Sequence, residues 1–196
     1  MEELLREAMR RVRARGEPAH IVDIAAGRGR YVFDALTPGV ERPASIVLRD
    51  YSERNVRDGE ALVAEKGLGD VARFVKADAF DRASLAALRP RPTIGIASGL
   101  YELFADNEAV ATSLAGLGDA IAPGGFLVDT GQPWHPQLEL MARALTSHRG
   151  GAAWVMRRRT QAELDQLVEA AGFRKVAQRV DEWGIFTVSL ATRVAQ

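Results

Sequence analysis

Five times between Ala19 and Asp129 a short apolar run stops at a polar or small residue and gives way to a stretch with helical spacing. The runs are Ala19 to Asp23, Ser45 to Arg49, Val71 to Lys76, Thr93 to Ala97 and Phe126 to Asp129. Short, nearly continuous apolar runs read as strands covered on both faces. Strands that alternate with helices pair in parallel, because each return to the same edge of the sheet needs a crossover. Such a chain forms an α/β fold, an open and mostly parallel sheet with helices on both faces. The last two runs, Arg174 to Val180 and Ile185 to Ala191, depart from this pattern. Only Asp181-Glu182-Trp183-Gly184 joins them, too few residues for a crossover helix, so they pair as an antiparallel hairpin.

The helical stretches carry their own punctuation. Glu2 to Arg15 places Leu4, Leu5, Ala8, Met9 and Val12 on one face, a stripe to be buried against the sheet or a partner, and Gly16 and Pro18 end it. Arg30 to Leu36 is short and stops at Pro38-Gly39. Ser52 caps a helix that runs to Gly67, and Asn107 caps one that runs to Ile121. A helical piece around Leu85 to Leu88 leads into the Arg89-Pro90-Arg91-Pro92 loop. Gln137 to Thr146 presents Leu138, Met141 and Leu145 on one face, and Thr160 with Glu163 forms a capping-box pair for the last helix.

Composition excludes several classes. Lys plus Arg and Asp plus Glu both number 26, so no global basic field points to nucleic acid. The absence of cysteine removes disulfides, thiolate catalysis and cysteine-ligated zinc. Met1-Glu2-Glu3 lacks the basic start and apolar run of a signal peptide, and no apolar segment approaches the roughly 20 residues of a membrane span, so a cytoplasmic location is expected. His20, His135 and His148 show no metal-ligand spacing, and no metal is expected.

In an open α/β sheet, ligands bind beyond the carboxyl ends of the strands. Here those ends carry Asp23, Asp50, Asp78 and Ser98-Gly99. Three carboxylates at three consecutive strand ends suggest a pocket that accepts hydrogen bonds from a nucleoside-like ligand. Asp23 is followed by Ala25-Ala26-Gly27-Arg28-Gly29, a turn that opens a helix, where a backbone without Cβ can approach a ligand closely. A dinucleotide turn wants glycines in a G-x-G-x-x-G pattern, and Val32 stands at the third position. A carboxylate at Asp23 would also repel a pyrophosphate, whereas it suits a ligand presenting an ammonium group.

With these features in place, the sequence resembles the class I S-adenosylmethionine-dependent methyltransferases. Asp23-Ile24-Ala25-Ala26-Gly27-Arg28-Gly29 matches the family's first motif, with Ala25 in place of the first glycine. The resemblance implies a Rossmann-like, seven-stranded sheet in the order 3-2-1-4-5-7-6, with strand 7 antiparallel. It implies S-adenosylmethionine as cofactor and S-adenosylhomocysteine as product. Asp23, Ala25, Gly27, Gly29 and Tyr31 would surround the methionine end. Asp50, with Tyr51 beside it, would bind the ribose hydroxyls, and Asp78, Ala79 and Phe80 would contact the adenine. Ser98 follows the fourth-strand motif, and Pro123-Gly124-Gly125 matches the turn before strand five. Segments around Gly99–Phe104, Thr130–Pro136 and Arg157–Gln161 are similar to a bacterial group of methyltransferase-like proteins that occur alone or behind a hydrolase-like domain. The whole chain, 1–196, then reads as one domain: an N-terminal helix at 1–17, a cofactor-binding core at 18–135, and the last helices and hairpin at 136–196.

The acceptor should approach over strands four and five. Tyr101 and Glu102 follow the fourth strand; Gln132, Trp134 and His135 follow the fifth. Either His135 or Glu102 is a candidate base toward a hydroxyl or amine, with Tyr101 and Trp134 lining a pocket for a small-molecule acceptor. Arg157, Arg158 and Arg159 read either as a solvated helix start or as a site for an acidic group. A homodimer contact through the first helix fits its apolar stripe. Two other readings stand beside this one: an NAD(P)-dependent oxidoreductase, and a non-catalytic cofactor-binding or interaction domain.

Overall fold

Strand β1 (His20–Asp23) occupies the middle of a seven-stranded sheet. On one side it pairs in parallel with β2 (Ser45–Asp50), which pairs with β3 (Ala72–Lys76). On the other side it pairs in parallel with β4 (Ile94–Ala97), which pairs with β5 (Phe126–Gly131). The antiparallel strand β7 (Thr187–Arg193) lies between β5 and the edge strand β6 (Phe173–Val180). The order is therefore 3-2-1-4-5-7-6. This computed structural model describes residues 1–147 and 151–194; His148 lies outside the described residues.

Helices α1 (Glu2–Arg13), α2 (Arg30–Asp34), α3 (Glu53–Glu65), α4 (Arg82–Ala86), α5 (Asn107–Ala120), α6 (Leu138–Ala144) and α7 (Gln161–Ala170) fill the connections. Two apolar clusters form, one on each face of the sheet. The first joins Leu4, Leu5, Met9 and Val12 of α1 to Ile21, Ile46, Ile94 and Val128. The second joins Leu114 and Leu117 of α5, and Leu164 and Val168 of α7, to Val22, Val47 and Leu127. The stripe on α1 is thus buried within the chain, against the sheet, and is not left over for a partner or for covering a ligand pocket.

Several boundaries differ from the sequence-based expectation for identifiable reasons. Strand β5 continues to Gly131 because β7 pairs with it as far as Gly131 opposite Thr187. The hairpin turn is longer than expected: the Asp181 carboxylate accepts the N–H groups of Ile185 (2.7 Å) and Phe186 (3.1 Å), holding both residues out of β7. Asp106, not Asn107, caps α5, accepting from the Glu108 N–H at 2.8 Å. Only half of the capping box at α7 forms. Thr160 accepts from the Glu163 N–H at 3.1 Å, but the Glu163 carboxylate accepts instead from Asn107 and Arg157. Helix α6 buries none of its side chains.

Candidate active site

The chain leaves β1 toward β2 and leaves β4 toward β5, in opposite directions, so a crevice opens beyond the ends of these two adjacent strands. Asp23 stands at its floor with 0% exposure. Its carboxylate accepts from the Ala25 N–H (3.2 Å) and from the Tyr31 hydroxyl in a short hydrogen bond. Burial pushes the Asp23 carboxyl up to about 7, against the pull of those two donors. Burial and the nearby carboxylate raise the Tyr31 hydroxyl well above its ordinary range, with Ser98, beyond β4, acting in the opposite direction.

The turn between β1 and α2 needs its glycines. Gly27 and Gly29 both have positive φ, 57° and 69°. A Cβ on Gly29 would also lie 3.1 Å from Leu48 and Phe74. Ala25 has no such demand, since no non-glycine residue here has positive φ; the alanine replaces the family's first glycine without backbone strain. Gly27 donates its N–H to Asp50 at 2.8 Å. Asp50 also accepts from the Ser52 N–H (2.8 Å) and the Asn55 amide (3.1 Å), so one carboxylate ties the turn to the start of α3. Tyr51 beside it is 76% exposed.

Beyond β3, the Asp78 carboxylate accepts from the Phe80 N–H at 2.9 Å, Ala79 is buried, and Phe80 packs on Phe104 with ring centroids 4.5 Å apart. The Asp78 carbonyl is held by Arg49, which also donates to Ser84 at 2.8 Å. Arg49 is almost fully buried and escaped notice in the sequence. Its signal was a single cation closing the apolar run Ile46-Val47-Leu48, immediately before Asp50.

Beyond β4 and β5 a cavity of about 10 Å³, room for about one water molecule, is lined by Tyr101, Glu102, Thr130, Gln132, Arg157, Arg159 and Leu164. Gly99 N–H donates to the Thr130 hydroxyl at 2.9 Å, joining the two strand ends. Burial raises the Glu102 carboxyl, while Arg159 opposes the shift. Tyr101 is in the lining of this cavity, as expected, but is largely withdrawn from solvent. It is 2% exposed, and its hydroxyl lies 3.3 Å from Ser113, which itself donates to the Ala79 carbonyl. The aromatic ring is drawn into the apolar face of α5, so the hydroxyl does not present itself to an acceptor. His135 and Trp134 do not line this cavity; the His135 ring accepts from the Gln137 N–H at 3.1 Å. A separate cleft of about 460 Å³ lies between α1 and residues 39–41, away from the strand-end carboxylates and lined by ion-paired side chains such as Arg13 and Glu41.

The arginine run is neither a solvated surface nor an open anion site. Arg159 is 6% exposed and donates to Asn107 (2.8 Å), and to the carbonyls of Tyr101 (2.5 Å), Phe104 (2.7 Å) and Asp106 (3.3 Å). Arg157 N–H donates to the Glu102 carbonyl at 2.7 Å, and its guanidinium pairs with Glu163. Only Arg158 is exposed. These bonds fasten the segment after β4, and with it Glu102, to the start of α7. Arg159→Lys keeps the charge but loses the planar fork that reaches four acceptors. It is expected to destabilise the fold by about 2 kcal/mol, measured by urea denaturation.

The chain matches a family model described as "Putative methyltransferase" over residues 1–193, and it belongs to that family. A relative from Escherichia coli (strain K12), the uncharacterized protein YnbC, is 56% identical over 192 residues, which is 97% of this chain. Those residues make up 32% of YnbC, so the chain spans about a third of the length of the curated relative it matches. Among solved structures, a "possible exported protein" from Bordetella parapertussis superposes with a TM-score of 0.76 at 21% identity, over 99% of this chain and 67% of that one. Magnesium protoporphyrin IX methyltransferase from Synechocystis PCC 6803, solved with bound S-adenosylhomocysteine, superposes with a TM-score of 0.69 at 15% identity, over 98% of this chain and 82% of that one. The fold is that of the S-adenosylmethionine-dependent methyltransferases, including the antiparallel strand β7. Among the described residues, no helix is long and apolar enough to cross a membrane, and no cluster of His, Asp and Glu is arranged to hold a metal ion.

Proposed function

We propose that this chain is an S-adenosylmethionine-dependent methyltransferase acting on a small-molecule acceptor that presents an O–H or N–H group. The observation that carries this reading is Asp23: a fully buried carboxylate at the switch point of the sheet, with no cation against it among the described residues. It suits a ligand that brings an ammonium group. The residues around it fit such a ligand. Asp23, Gly27 and Gly29 would hold the methionine end, with Ala25 and Ser98 alongside. Asp50 accepts three protein hydrogen bonds, and a carboxylate has about four acceptor sites, so it retains capacity toward a ribose hydroxyl. Asp78, Ala79 and Phe80 would flank the adenine, with Tyr51 open to solvent near the ribose. The bound cofactor supplies an electrophilic methyl group on a sulfonium.

The protein's contribution on the acceptor side is alignment and exclusion of water. Glu102 is the titratable carboxyl lining the small cavity at the ends of β4 and β5, the side from which an acceptor would approach, and its raised affinity for protons suits it to take the proton that the acceptor loses. Gln132, buried beside it, would orient the acceptor. His135 lies outside that cavity and is not needed for this step.

Isothermal titration calorimetry tests the reading directly. S-adenosylhomocysteine is expected to bind saturably at one site, and a nicotinamide dinucleotide is expected not to bind. The reverse result would replace the methyltransferase by an oxidoreductase. Failure of both ligands to bind would favour an interaction domain.

A further inference from the structure

The residue that reaches into the crevice from the cofactor turn is Tyr31. Its hydroxyl donates to Asp23 at the end of β1, and Ser98, just beyond β4, lies near enough to act on it. These are the two strand ends between which the sheet reverses direction, and ligands of this architecture enter there. A side chain held on Asp23 with Ser98 close by occupies the floor of that crevice. Tyr31 packs, partly buried, against the first apolar cluster. It lies in the first turn of a five-residue helix, two residues after Gly29, which holds the left-handed conformation.

The bond it makes answers a deficit in the protein. Asp23 is fully buried, and only a backbone N–H and the Tyr31 hydroxyl donate to it. A neutral hydroxyl is a weak partner for a buried carboxylate, and the nearest charged neighbour, Asp50, has the wrong sign. A ligand ammonium would be a better partner at the same oxygen.

We propose that Tyr31 is a latch: its hydroxyl competes with the ammonium group of the incoming cofactor for the Asp23 carboxylate, and binding displaces it. The proposal rests on the reading of Asp23 as the acid of the cofactor turn. It separates Tyr31 from an ordinary wall residue of the cofactor site, because a wall residue would add to affinity and a latch subtracts from it.

Tyr31→Phe separates the two with paired measurements. The melting temperature of the free protein is expected to fall, because a hydrogen bond to a buried carboxylate is lost. Affinity for S-adenosylhomocysteine is expected to rise about tenfold, the worth of one such bond. Affinity for 5′-methylthioadenosine, which lacks the amino acid end, is expected to stay unchanged. A residue that merely props the fold would lower stability and affinity together. Unchanged or weaker binding of S-adenosylhomocysteine by the variant, with wild-type binding intact, overturns the latch alone. Loss of binding in both proteins overturns the cofactor reading and the latch with it. Should Tyr31→Phe fail to fold, ¹³C-tyrosine labelling of the wild-type protein gives the same test. One of the three tyrosine ring signals must move to a solvated position on saturation with S-adenosylhomocysteine, and a Tyr31 signal that does not move overturns the latch.

Discussion

Asp23→Asn is expected to weaken S-adenosylhomocysteine binding about a hundredfold while making the free protein more stable at pH 8. The two effects have one cause. Asn keeps the size and the hydrogen-bonding reach of Asp but removes the buried charge. A buried ion pair that loses one partner forfeits about 3 kcal/mol, which is roughly a hundredfold in affinity. The stability effect follows from proton linkage. The Asp23 carboxyl titrates near 7 in the folded chain, against 3.8 ordinarily. The folded state therefore binds a proton more tightly than the unfolded state, and this contribution is complete below pH 4 and lost as the pH rises through 7. Above 7 the ionised carboxylate costs at most about 4 kcal/mol, which the amide does not. Calorimetry and urea denaturation at pH 8 measure the two halves. Equal affinities of wild type and variant would remove Asp23 from the ligand site. A gain in stability bought at the expense of binding is the usual mark of a functional position.

Asp129→Asn is expected to stabilise the protein at pH 8 by a similar amount without touching the cofactor turn. Asp129 ends the buried part of β5 with 2% exposure, and one of its carboxylate oxygens has no hydrogen-bond partner. It lies opposite Ser189 on β7, and the neighbouring Gln161 side-chain oxygen on α7 is also buried without a donor. Burial and Asp165 on α7 push its carboxyl up to about 7, with only partial relief from Lys175 on β6, which is itself paired to Asp165. The sign is that of Asp23: stability is present below pH 4 and is lost as the pH climbs to 7. Wild-type stability should therefore fall between pH 5 and 8, and the variant should lose about half of that slope, since Asp23 retains the other half. The shift corresponds to about 4 kcal/mol as an upper bound. Denaturant midpoints across this pH range give the result, and a slope identical to wild type would show that Asp129 is already ionised in the folded protein.

Much of the site was legible before any coordinates. Asp23, Asp50 and Asp78 stand at strand ends because each closes an apolar run, and a parallel sheet gathers those ends on one edge. The glycine turn was legible for a related reason: Gly27 and Gly29 adopt the left-handed backbone that their lack of a Cβ permits. The parts that were misread depend on contacts distant in sequence. Arg159 looked like part of a solvated helix start or an anion site, yet its guanidinium is bound to carbonyls from Tyr101 to Asp106. Asn107 looked like a cap, yet Asp106 holds that position and Asn107 joins Arg159 to Glu163, more than fifty residues away.

The alternation of strands and helices, the closing hairpin and the order of the strand-end acids were properties of the sequence alone. They rest on periodicity and turn chemistry, which act over a few residues. The tertiary structure alone decided where the stripe of α1 goes, that Arg159 is a buried clasp, and that the Tyr31 hydroxyl reaches Asp23. Each of these turns on which surface arrives opposite a side chain once the sheet is assembled, and no local spacing encodes that.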